Sequence, residues 1–81
     1  MTLQEEIIKK IGDNKYKKDK NFTNDVNLTQ NDGTQTYALG FYTYRGEVCI
    51  LDGLGMDITF DEYDSKTQNL IHQEIISGNY K

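Results

Sequence analysis

Five carboxylates, Asp52, Asp57, Asp61, Glu62 and Asp64, fall between positions 52 and 64. A hard cation needs several oxygen ligands converging on one point. The spacing D-x-x-x-D-E-x-D does not reproduce the D-x-[DN]-x-[DN]-G loop of an EF-hand, so no metal or other cofactor is expected. Asp57 falls on the outward side of an alternating segment. Asp61, Glu62 and Asp64 precede a helix, where the dipole favours negative charge. The remaining functional use of these acids is a surface that meets a basic partner.

Cys49 and His72 are the only residues of their kinds. A thiol–imidazole pair needs the two groups in hydrogen-bond reach and a third group to orient the base. No signature surrounds either residue, and Cys49 reads as a small, half-buried apolar side chain. No Walker loop, zinc spacing or nucleophile elbow is present, and Gly53-x-Gly55 is too short for a dinucleotide fingerprint. The chain therefore reads as a non-enzyme.

Tyr42 and Tyr44 share the less apolar side of a strand. An exposed aromatic sheet face can hold a protein or stack single-stranded bases. A basic run, Lys15, Lys17, Lys18 and Lys20 around Tyr16, supplies the charge that nucleic acid would need. Most of the chain opposes that use. Residues 1–20 carry six of the nine basic residues, whereas residues 21–81 carry nine acids and a net charge of −6. Phosphates are repelled by such a body.

The elements that must position these residues are legible. A chain of 81 residues is one domain by length, spanning 1–81. Thr2 and Glu5 form a T-x-x-E capping box, and Leu3, Ile7, Ile8 and Ile11 follow at helical spacing before Gly12. Residues 13–21 form a basic, polar connection. Alternation then predicts strands over 22–30, 36–44 and 47–52, and a short fourth through Met56, Ile58 and Phe60. Ser65-x-x-Gln68 reads as a second capping box. Leu70, Ile71, Ile75 and Ile76 make the stripe of a last helix that stops at Gly78.

Turn chemistry sets an expected register. A two-residue turn at Asp32-Gly33 pairs Leu28 with Tyr37 and Val26 with Leu39, and one at Arg45-Gly46 pairs Phe41 with Ile50 and Thr43 with Val48. One face then collects Val26, Leu28, Tyr37, Leu39, Phe41, Val48 and Ile50. The fold class is α+β: an antiparallel three- to four-stranded β-meander over about 22–60, flanked by an N-terminal and a C-terminal helix, in the order α-β-β-β-(β)-α.

A single cysteine and the lack of a charged-then-apolar leader lead to the expectation of a cytoplasmic protein with no membrane association. The short, Asn-, Lys- and Asp-rich composition is similar to that of small phage and mobile-element proteins, among them inhibitors of bacterial defence systems, although no motif carries the likeness. The expected function is that of a small acidic interaction protein. It would bind a protein with a basic surface through Tyr42, Tyr44, Asp57, Asp61, Glu62 and Asp64, its acids standing in for phosphates. The alternative is a ligand- or single-stranded-nucleic-acid-binding module that uses the tyrosines and the lysine run. Homo-oligomerisation is left open by the sequence.

Overall fold

A computed structural model describes residues 1–13 and 21–81. The lysine run at 15, 17, 18 and 20 lies outside the described residues. Helix α1 (Leu3–Ile11) starts at the expected box: the Glu5 N–H donates to Thr2 Oγ1 at 3.1 Å and the Thr2 N–H to Glu5 Oε1 at 3.2 Å. Strands β1 (Asn21–Thr29), β2 (Gln35–Tyr44), β3 (Glu47–Asp52) and β4 (Asp57–Thr59) follow as one antiparallel sheet in the order β1-β2-β3-β4. A 3-10 turn (Phe60–Glu62) leads to helix α2 (Ser65–Ile76). The architecture is the expected α+β meander between two helices, with the fourth strand present.

The second hairpin has the predicted register. Arg45 (φ 50°) and Gly46 (φ 79°) both take the left-handed conformation that a two-residue turn demands. Phe41 pairs with Ile50 and Thr43 with Val48.

The first hairpin is shifted by one residue from the expectation. Val26 pairs with Ala38 and Leu28 with Thr36. Of the two turn residues, only Gly33 has positive φ (90°), and the Gln30 N–H bonds to the Thr34 carbonyl at 2.9 Å. The loop is thus three residues long, Asn31-Asp32-Gly33, with glycine in the left-handed last position. Asp32 Oδ1 fixes it by accepting the Thr34 N–H at 2.9 Å. The slip turns Tyr37 and Leu39 outward and puts Ala38 in the core. A bulge between Ala38 and Gly40 then absorbs one residue, so Phe41 and Thr43 still point inward.

The inward face carries Val26, Leu28, Ala38, Phe41, Val48 and Ile50, and packs on Ile7 of α1, Ile71 and Ile75 of α2, Phe60 and Tyr63. Both helices therefore cover the same side of the sheet. Residues 60–64 bring the chain from β4 to the outer edge of β1, where the Asp64 N–H meets the Thr29 carbonyl at 2.9 Å. Helix α2 begins one residue earlier than the expected box. Asp64 is the N-cap and accepts the Thr67 N–H at 2.8 Å, while Gln68 Nε2 donates to the Tyr63 carbonyl. Gly78 (φ 79°) stops the helix, with its N–H on the Ile75 carbonyl and the Asn79 N–H on the Glu74 carbonyl. This is the 6→1 and 5→2 pairing of a Schellman motif.

The last residues do more than trail. Asn21 and Lys81 exchange backbone hydrogen bonds at 3.2 and 2.7 Å, and the Thr23 N–H reaches the Asn79 carbonyl at 3.0 Å. Tyr80 meets the Phe41 ring edge-on, centroids 5.2 Å apart.

Three carboxylates that act as local caps set an acid limit. Backbone N–H donation from Thr2 to Glu5, from Thr34 to Asp32 and from Thr67 to Asp64 holds each below its ordinary range. A lowered folded-state pKa gives stability that is complete above the unfolded value and lost as pH falls through the folded one. Urea melts are expected to show constant stability at neutral pH and a decline only as pH drops below the ordinary carboxylate values of 4.5 for Glu and 3.8 for Asp. A decline beginning near neutrality would contradict this assignment.

Candidate functional site

With both helices on one side, no described helix covers the opposite side of the sheet, which is open among the described residues. Alternation and pairing put Asp25, Asn27 and Thr29 of β1 there, with Tyr37, Leu39, Tyr42 and Tyr44 of β2, Glu47, Cys49 and Leu51 of β3, and Asp57 and Thr59 of β4. Tyr37 and Leu39 are each 49% exposed. At the adjoining β3–β4 turn, Leu54 and Met56 are also exposed. The centre of this face is apolar and aromatic, and its rim is acidic. Arg45 is the basic residue at its end, with its guanidinium 5.1 Å from the Tyr44 ring centroid.

The middle of the face is held by side-chain geometry. Tyr42 lies opposite Cys49, which lies opposite Thr59. The Tyr42 hydroxyl donates to Asp57 Oδ2 at 3.0 Å, so the ring spans β3 to reach β4. Burial, together with the hydrogen bond to Asp57, raises the Tyr42 phenol far above its ordinary pKa. Burial also raises the Cys49 thiol, only partly opposed by its hydrogen bond to Tyr42. A thiol with a raised pKa forms little of the reactive thiolate.

Tyr37 is seated on a glycine. The Gly53 N–H donates to the Tyr37 carbonyl at 2.8 Å, and a Cβ at position 53 would come within 2.5 Å of the Tyr37 ring. Gly53→Ala is expected to displace that ring from the face at a cost of about 1–2 kcal/mol. Thermal melts and the nuclear Overhauser contacts of the Tyr37 ring would measure both effects. An unmoved ring would refute the packing.

The predicted acidic residues do not gather. Asp52 is fully buried on the helix side, where Oδ1 accepts the Leu54 and Met56 N–H groups at 2.9 and 3.0 Å. Asp64 is committed to capping α2. Asp61 and Glu62 are exposed beside the first hairpin loop, and their carbonyls accept from Asn31. Asp57 alone of the predicted acids joins Tyr42 and Tyr44 on the open face. Among the described residues, no group of three or more His, Cys, Asp or Glu side chains could hold a metal ion.

Cys49 and His72 are on opposite sides of the sheet. His72 belongs to α2, with Nε2 3.6 Å from Glu6 Oε1 of α1. The pair cannot act together.

Two contributors to the face escaped the sequence reading, Tyr37 and Leu39. The signal that locates them is the Asn-Asp-Gly triplet, which suits a three-residue loop as well as Asp-Gly suits a two-residue one. Among the described residues, no helix is long and apolar enough to cross a membrane. No protein-family model, curated protein or solved structure matches the chain.

Proposed function

We propose that this chain is a small, non-enzymatic interaction protein that captures a partner protein on the open face of its sheet. The observation that carries this reading is the exposure of Tyr37 and Leu39, 49% each, amid an otherwise ordered face. Large apolar side chains exposed together on a rigid surface mark a binding site. The acidic residues Asp25, Glu47 and Asp57 on the same face suit a basic partner and oppose the phosphates of a nucleic acid. By occupying such a surface the protein would act as an inhibitor. Its composition makes a host defence protein of a phage-infected cell the first target to try.

Leu39→Asp tests the reading. The residue is half exposed and sits on a bulge, so the fold tolerates the change. Affinity capture from a host lysate with the wild-type protein is expected to retain a specific partner. Capture by L39D is expected to fall on the order of 30-fold, the cost of a central apolar anchor. Equal capture by both proteins, with matching melting curves, would rule out this face.

A further inference from the structure

Resting on that reading, we infer that the part of the partner recognised by the open face is a basic amphipathic helix, laid along the strands. Three features of the molecule select this shape and this charge.

The first is that the sheet edges leave little room for an added strand. At one end of the outer edge of β1, Asn21 and Thr23 bond to residues 79–81. At the other, the Thr29 N–H donates to Thr67 Oγ1 at 3.0 Å and its carbonyl accepts from Asp64. At the opposite edge, β4 has three residues, and the Val48 N–H beyond it donates to Gln4 Oε1 at 2.8 Å. An extended peptide joining a sheet needs a run of free backbone groups. A partner is therefore taken on the face.

The second is the size of the face. Three interstrand steps from β1 to β4 span about 14 Å. A helix with its side chains is about 10–12 Å across, so one helix fits between the two edges. From Tyr37 to Tyr44 the strip runs about 23 Å, the length of a helix of about 15 residues.

The third is where the charges stand. Asp25 is exposed on β1 between Asn24, whose amide reaches Glu74 of α2, and the inward Val26, and Asp57 is on β4, so acids flank the apolar strip of Tyr37, Leu39, Tyr42 and Leu51 on both sides. A helix with an apolar stripe and Lys or Arg on each flank meets all of these groups at once. An acidic helix would be repelled along both edges.

The probe is a fluorescein-labelled peptide of about 15 residues, built from Leu and Lys with Leu on one helical face. The controls are a scrambled peptide of the same composition and a Leu/Glu peptide of the same pattern. Anisotropy is expected to show micromolar binding of the patterned Leu/Lys peptide with a gain of helical circular dichroism. Binding is expected to be roughly tenfold weaker for the scrambled peptide and absent for Leu/Glu. L39D is expected to weaken it roughly tenfold through lost apolar contact. Asp25→Asn with Asp57→Asn, which keeps an acceptor for Tyr42, is expected to weaken it and flatten its salt dependence. Equal binding of patterned and scrambled peptides, no binding of either, or indifference to L39D would overturn the inference. If a host protein is captured through Leu39 but the patterned peptide does not compete with it, the helix inference fails while the interaction reading stands. A dimer in sedimentation that L39D dissolves would make the occupant a second copy of this chain and overturn the inference.

Discussion

Phe41→Ala is expected to remove about 4 kcal/mol of stability, within the range for deleting a buried aromatic ring. Phe41 is fully buried at the centre of β2, and its ring meets Phe22 at 5.0 Å and Tyr80 at 5.2 Å. The ring thus joins β1, β2 and the C-terminal segment. A chain of this size has a total stability of roughly 4–12 kcal/mol, so the variant is expected to lose between about a third and all of it. Urea denaturation followed by circular dichroism measures the loss. Phe41→Leu retains most of the volume and is expected to recover more than half of it. If Phe41→Ala melted like the wild type, neither the inward direction of Phe41 nor the bulge that produces it could be right.

The second large effect concerns a carboxylate. Asp52→Ala is expected to cost about 3 kcal/mol, because the Leu54 and Met56 N–H groups lose a charged acceptor inside the fold. Asp52→Asn keeps one oxygen for those two donors and is expected to lie between alanine and the wild type. The pair separates the hydrogen bonds from the charge. Asp52 Oδ2 and the Tyr63 hydroxyl are both buried without a hydrogen-bond partner among the described residues. Burial first, and then the Asp52 charge, push the Tyr63 phenol well above its ordinary pKa. Hydrogen exchange at Leu54 and Met56 provides a local check. Unchanged protection in Asp52→Ala would mean that the turn is held by its backbone alone.

What the sequence revealed depended on whether one arrangement of backbone angles satisfied each signal. Arg45-Gly46 sits between apolar runs that fit only a two-residue turn, so the second hairpin could be written down residue by residue. Asn31-Asp32-Gly33 admits two loops that differ by one residue, and a period of two converts that difference into opposite faces. Tyr37 and Leu39, the side chains that define the open face, were therefore assigned to the core. The error stopped at Leu39 because the bulge restores the parity of β2, a compensation that local pattern does not reveal. Tyr42 and Tyr44 are legible as outward residues because their register comes from the second turn, and Asp57 because it alternates with the apolar Met56 and Ile58. The carboxylates between 52 and 64 looked like a cluster because they are close in sequence, and the fold separates them. Asp52 turns inward, Asp57 outward, and Asp64 takes the N-cap position that the sequence pattern assigns to Ser65. The pairing of Asn21 with Lys81 was hidden for a different reason: nothing local marks two segments that distant as neighbours.

The closed margins of the sheet bear on how the protein behaves at high concentration. An exposed apolar face combined with free strand edges would invite stacking into fibrils. Here the backbone groups at the ends of β1 are occupied, and β4 is too short to template a neighbour. The chain can therefore leave Tyr37 and Leu39 exposed while resisting growth into ordered aggregates.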